Sequence, residues 1–156
     1  MRRALICGVS GQDGAYLARF LLEKGYEVWG TSRDAQASTF ANLLRLGIRD
    51  RVKTVSMAAN DFRSVLQAIS HSEPDEIYNL AGQSSVGLSF EQPAETLESI
   101  ATGTLNLLEV IRFLGLPVRF YNAGSSPNPA GFPYHPISAF HGSPWQFLLP
   151  LGRSFE

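Results

Sequence analysis

The sequence predicts an α/β fold, a doubly wound parallel sheet followed by an irregular, proline-rich C-terminal tail. Three observations carry this reading. A short apolar run at residues 4–7 ends in glycine, a glycine-rich turn then opens a helical pattern, and strand-like and helix-like segments keep alternating to residue 126.

Residues 4–7 (ALIC) are apolar throughout, which suits a strand buried on both faces of a parallel sheet. From Gly11 the pattern turns helical, with Tyr16, Leu17, Phe20 and Leu21 at spacings of three and four. Lys24-Gly25 supplies its stop. Residues 26–31 (YEVWGT) form a second strand rich in β-formers. Strand, turn, helix and strand within about 30 residues make a βαβ unit. Residues 52–57 predict a third strand, and 64–70 a helix with Asp61 as candidate N-cap. A fourth strand, 76–80, follows the Pro74-Asp75 turn. A long helix over 93–114 takes its apolar face from Ile100, Thr104, Leu107, Leu108 and Ile111 and stops at Gly115. Residues 118–122 are a fifth strand. Such alternation is the pattern of a Rossmann-type sheet, and no internal repeat is visible beyond it.

Composition narrows the function classes. Hydrophobic residues make up 44% and charged residues 17% of 156, enough apolar material for a core without disulfides or metals. A net charge of −1 offers no electrostatic reason to expect nucleic acid or an anionic membrane as partner. The basic cluster Arg45, Arg49, Arg51 and Lys53 is interrupted by apolar residues and reads as a solvated helix end or loop. Cys7 is the single cysteine and lies in the first apolar run, so it reads as a small core residue. One thiol excludes a disulfide framework and a cysteine-based zinc site, and favours a cytoplasmic setting. His71, His135 and His141 are too scattered to suggest a metal site, so none is expected. The apolar run behind Arg2 and Arg3 is too short for a signal peptide, and no stretch approaches the roughly 20 residues of a membrane span.

Gly8-Val9-Ser10-Gly11-Gln12-Asp13-Gly14 is the strongest chemical signal. Gly8 lets the chain turn sharply off the first strand. Gly11 removes a side chain where backbone must approach a pyrophosphate, and Gly14 lets the helix pack close. The helix N-terminus then offers unpaired N–H groups and a positive dipole end to the phosphates. Strand, turn and helix in this order point to dinucleotide binding, with a purely structural turn as the alternative.

The end of the second strand selects the dinucleotide. An acid there would hold both ribose hydroxyls of NAD. The sequence instead reads Thr31-Ser32-Arg33-Asp34, and Arg33 can pair with a 2′-phosphate, which favours NADP. Two alternatives stay open: Asp34 would repel that phosphate if it pointed inward, or Arg33 is a plain surface charge. Asn60-Asp61-Phe62 follows the third strand, where a carboxylate could accept the adenine amino group. Leu80, Ala81 and Gln83 lie in the small-residue run after the fourth strand, where backbone could approach the cofactor. Either segment could also be an ordinary polar loop.

These residues together resemble the extended short-chain dehydrogenase/reductase family, most closely its GDP-mannose 4,6-dehydratases. The carrying segments are GVSGQDGAYLARFLLEKGYEVWGTSRD (8–34), PDEIYNLAGQSSVGLSFEQP (74–93), GTLNLLEVIRFLG (103–115) and RFYNAGSS (119–126). The resemblance covers residues 1–126, about four-fifths of the chain. It implies a tightly held NADP, a nucleotide-sugar substrate (GDP-mannose) contacted by Ser84, Ser85 and Val86, and assembly into homo-oligomers. The implied reaction oxidises the sugar C4 hydroxyl by hydride transfer, eliminates water across C5 and C6, and returns the hydride to C6. It needs a Ser or Thr at the C4 oxygen, a Tyr–Lys pair to take its proton, and a Glu for the C5 proton.

Carried over by position, the hydroxyl role falls on Ser125, with Ser126 beside it. The Glu belongs two residues later, where this chain has Pro127. The Tyr-x-x-x-Lys pair is absent: Tyr134 is too early, has Ser138 where lysine is required, and no lysine lies beyond Lys53. Six of the nine prolines fall in residues 127–156, too many for a regular helix. We therefore expect a partial NADP-binding Rossmann domain over 1–126 and a divergent tail of low order over 127–156. The departure is abrupt, so the chain reads as a truncated or reading-frame-shifted product, which the encoding DNA would test. An inactive dehydratase-like chain is the leading expectation. A catalytically silent NAD(P)-binding module and an interaction protein acting through its tail are the rivals.

Overall fold

The computed structural model describes residues 1–81, 101–123 and 149–150. Arg3–Cys7 (β1) lies at the centre of a parallel sheet, paired with Glu27–Ser32 (β2) on one side and Glu76–Asn79 (β4) on the other. Val52–Ser56 (β3) continues the sheet beyond β2, and Arg119–Asn122 (β5) beyond β4. The parallel order is β3-β2-β1-β4-β5. The chain steps outward from β1 to β3, then crosses back to β4. That reversal opens a crevice at the carboxyl ends of β1 and β4. Leu149–Pro150 (β6), the described part of the tail, runs antiparallel beside β5, pairing Phe120 with Leu149 and Arg119 with Pro150.

The apolar run of β1 is divided by its two-residue period. Ala4 and Ile6 enter one core and Leu5 and Cys7 the other, all fully buried. The first core holds Gln12–Glu23 (α1) and the short Ala41–Arg45 (α2) against the sheet, and Phe40 and Leu43 are among its largest buried side chains. The second is formed by Phe62–Ser72 (α3) and Gly103–Leu114 (α4), with Val65, Ile69, Leu107, Val110 and Ile111 packed over Leu5, Ile77 and Phe120. Each fully buried leucine or isoleucine contributes roughly 1.5–3 kcal/mol relative to exposure. The two-sided core thus explains why β1 needs no polar face.

Helix boundaries follow the expected signals, while two faces differ. α1 ends at Lys24-Gly25, where Gly25 takes φ +80°, and α4 ends at Gly115 with φ +61°. Asp61 caps α3, accepting from Arg63 N–H at 3.1 Å and Ser64 N–H at 3.3 Å. The expected start of α4 near Pro93, and Ile100, lie outside the described residues. The inward face of α1 is Gly14, Ala15, Ala18 and Leu21, whereas Tyr16 and Phe20 are 50% and 48% exposed. The helix lies so close to the sheet that alanines take the contact, and the aromatics turn outward beneath Arg19 and Lys24. In α4, Gly103 and Val110 join Leu107 and Ile111 inside, while Thr104 and Leu108 sit at the flank.

Two members of the basic cluster, Arg49 and Lys53, are tied locally, and Arg45 and Arg51 are exposed. Arg49 stands 4.7 Å over the Phe40 ring and donates to the Val52 carbonyl and the Thr54 hydroxyl, each at 3.3 Å. Lys53 pairs with Glu27 at 3.0 Å.

Candidate cofactor site

The glycine turn sits where β1 hands over to α1. Gly8 has φ +84°, a conformation side chains rarely adopt. The N–H groups of Gly8 and Val9 both reach the Thr31 carbonyl at 3.2 Å, which anchors the turn to β2. A β-carbon on Gly8 would stand 3.1 Å from the backbone of Leu80 and Ala81, so the turns after β1 and β4 close against each other. On Gly14 it would stand 2.5 Å from the Gly8 carbonyl oxygen and 2.8 Å from the Val9 α-carbon. On Gly11 it would meet only the Gly8 oxygen, at 3.4 Å, and Gly11 is exposed. Bare backbone is therefore exposed at Gly11.

Val9 does not block this corner. Its side chain is buried downward against Gly30 of β2, where any β-carbon would overlap it. Gly30 shapes the floor of the turn, and sequence reasoning missed it. The available signal was a glycine inside a strand of β-formers, which marks close backbone approach. The N-cap Gly11 makes no side-chain bond, and the first internal bond of α1 runs from Ala15 N–H to the Gly11 carbonyl at 3.1 Å. The N–H groups of Gln12, Asp13 and Gly14 precede that bond and lie at the positive end of the helix. The Ser10 carbonyl is held by Asn42 of α2 at 2.9 Å. Cys7, just below, is fully buried, and burial pushes its thiol up to about 12, with a smaller opposing effect from a hydrogen bond with Thr31.

The other described residues of the expected cofactor set follow β2, β3 and β4 at their carboxyl ends. Arg33 is exposed immediately after β2, and no described residue bonds to it. The Asp34 carboxylate turns into its own loop, accepting from Gln36 N–H at 2.9 Å and Ala37 N–H at 3.0 Å. Asp61 and Phe62 begin α3, and Phe62 meets Phe113 of α4 edge-on at 6.2 Å. Leu80 N–H donates to the Cys7 carbonyl at 3.0 Å, which brings Leu80 and Ala81 beside the glycine turn. Gln83, Ser84, Ser85, Val86 and Ser125 lie outside the described residues. So do His135 and His141, whereas His71 is exposed on α3 against Trp29. Among the described residues, no group of three or more His, Cys, Asp or Glu side chains could hold a metal ion, and no helix is long and apolar enough to cross a membrane.

A parallel sheet of this order, with a bare glycine corner between its first strand and first helix, defines a Rossmann-type fold. Known structures share it: the UDP-glucose 4-epimerase of Thermus thermophilus, solved in complex with NAD, is 29% identical with a TM-score of 0.63, over 73% of this chain and 35% of its own. The chain belongs to the GDP-mannose 4,6-dehydratase family, whose model matches residues 5–127. The GDP-mannose 4,6-dehydratase of Vibrio cholerae is 39% identical over 155 residues, covering 89% of this chain and 42% of the relative. GDP-mannose 4,6 dehydratase 1 of Arabidopsis thaliana is 37% identical over 158 residues, covering 90% and 44%. The chain thus spans about two-fifths of the length of the curated relatives it matches. The family match ends one residue past the boundary expected from the sequence, and the pairwise alignments run further than four-fifths of the chain.

Proposed function

We propose that residues 1–126 bind NADP as the cofactor half of a GDP-mannose 4,6-dehydratase, and that the 156-residue chain alone does not complete the reaction. The observation that carries this reading is the corner at Gly8 and Gly11, a cradle that β-carbons would strain or narrow. Its backbone donors fit a diphosphate. Bound NADP would supply a hydride acceptor that can give the hydride back. The chain's own part is to orient it: the amides of residues 10–14 toward the diphosphate, Arg33 toward the 2′-phosphate, Asp61 and Phe62 near the adenine, and Leu80, Ala81 and Gln83 along the second half. Preference for NADP over NAD is supported by the Arg33 guanidinium, to which no described residue bonds, and by the Asp34 carboxylate, which is engaged by the amides of its own loop. A reducing, cytoplasmic setting agrees with the single buried thiol.

The sugar side of the reading comes from family membership. Ser84, Ser85 and Val86 would touch GDP-mannose, and Ser125 would hold the sugar C4 oxygen. Pro127 replaces the expected Glu, and neither the Tyr nor the Lys partner is present in the sequence. Loss of one general base removes a factor of about 10²–10⁴ in rate. The chain alone therefore binds NADPH but forms no 4-keto sugar from GDP-mannose. NADPH fluorescence titration together with a GDP-mannose turnover assay tests both halves. Absence of NADPH binding defeats the cofactor assignment, and robust turnover defeats the inactivity.

A further inference from the structure

At the carboxyl ends of β4 and β5 three side chains close a hydrogen-bonded ring. The Asn79 carboxamide donates to Asn122 Oδ1 at 2.7 Å and to the Thr104 hydroxyl at 3.3 Å, and Thr104 donates to Asn122 Oδ1 at 3.2 Å. The orientation of both amides follows from one outer partner of Asn79. The Ala81 N–H can only donate, so Asn79 turns its oxygen toward it, at 3.3 Å. The Asn79 NH2 group must then face Asn122, whose oxygen accepts twice. The Asn122 NH2 group is left over, on an exposed side chain at the rim, and no described residue accepts from it.

The ring is not needed to join the strands. Backbone pairing already does so, through four residue pairs and the Ala123 N–H to the Asn79 carbonyl at 3.0 Å. What the ring adds is a donor held at a fixed point, with α4 bracing it through Thr104. Its location follows from the cofactor reading above, on which this inference rests. A dinucleotide with its 2′-phosphate at Arg33, after β2, and its diphosphate at the glycine turn, after β1, must run its second nucleoside over β4 and β5. We propose that Asn122 donates its free carboxamide N–H to that second nucleoside, whose ribose hydroxyls and carboxamide oxygen are acceptors, and that Asn79 and Thr104 are positioning residues for it.

The test compares two probes on the full chain. NADPH reaches across the whole rim, whereas adenosine 2′,5′-bisphosphate covers only the Arg33 side. Asn122→Asp keeps the oxygen that Asn79 and Thr104 donate to and replaces only the free NH2 group. It should weaken NADPH binding about tenfold and leave the bisphosphate unchanged. Thr104→Val should weaken NADPH about threefold, with recovery in Thr104→Ser. Unaltered NADPH affinity in Asn122→Asp overturns the proposal. An equal loss for both probes also overturns it, since that is the mark of a structural ring. A wild-type chain that binds the bisphosphate but not NADPH sinks this inference alone, whereas one that binds neither sinks the cofactor reading and this with it.

Discussion

Gly14 carries no β-carbon because the Gly8 carbonyl oxygen stands 2.5 Å from the place one would occupy. The contact is backbone to backbone, so no side chain can rotate away. Gly14→Ala should therefore cost about 2–3 kcal/mol, the range of overpacking in a close-fitted site. Gly25→Ala is the control. That position has φ +80° but open space around it, and the substitution should cost about 1–2 kcal/mol from conformation alone. Urea denaturation of both variants measures the difference. A Gly14→Ala chain as stable as wild type would mean that α1 can lift off the turn.

Arg33 is free of described partners, while Asp34 spends its carboxylate on the amides of Gln36 and Ala37. Charge-assisted bonds to a phosphate are among the stronger single contacts. Arg33→Gln should lower NADPH affinity about tenfold, corresponding to about 1.4 kcal/mol, and change NADH affinity little. Parallel titrations with the two cofactors give the ratio directly. If NADH binds wild type at least as well as NADPH, the role given to Arg33 fails.

At the opposite, amino-terminal edge of the sheet, Glu76 is 3% exposed yet well partnered. It accepts from Tyr78 at 2.8 Å, Tyr26 at 3.3 Å and Arg119 at 3.4 Å, and Arg2 lies 3.7 Å away. Burial, and then the bond to Glu76, hold the Tyr78 hydroxyl above the ordinary tyrosine range. Removing the carboxylate leaves those groups facing a void. Glu76→Ala should cost about 3 kcal/mol and Tyr78→Phe about 1 kcal/mol, both read from chemical denaturation. Similar losses in the two variants would show that the network, rather than the carboxylate, carries the energy.

That cluster also shows where sequence reading stops. The five parallel strands, the glycine turn, the Asp61 cap and the Gly115 stop are local events, each decided within a few residues, and all could be read from the chain, whereas β6 falls in a tail that the sequence predicts to be irregular. The Glu76 network joins β4 and β5 with the residues just before β1 and β2, and no short window contains it. Likewise the ring of Asn79, Thr104 and Asn122 exists only once β4, β5 and α4 meet. The apolar spacing that marks α1 as a helix does not mark its inward face, for a related reason. Hydrophobicity favoured Tyr16 and Phe20, but the closeness imposed by Gly14 leaves room only for Ala15 and Ala18. The short α2 was missed because its N-cap, Phe40, takes a left-handed conformation (φ 46°) that nothing in the local sequence leads one to expect.

Glu27 provides a pH test of the β2–β3 edge. Its carboxylate accepts from the Trp29 indole N–H at 2.8 Å and pairs with Lys53 at 3.0 Å. Those two hydrogen bonds, the indole's first, lower its pKa from the ordinary carboxylate value. A lowered pKa in the folded chain contributes stability that is fully present above the unfolded value and is lost as pH falls through the folded one. Glu27→Gln keeps an acceptor for Trp29 but removes the charge facing Lys53. At neutral pH the variant should be less stable by under about 1 kcal/mol, as for other partly exposed pairs. As pH falls through that lowered pKa the two chains should converge, because the wild-type glutamate is then protonated as well. Urea midpoints taken stepwise from pH 7 into strong acid decide the matter. A gap that does not narrow at all over that range would assign the loss to packing around Trp29 rather than to charge.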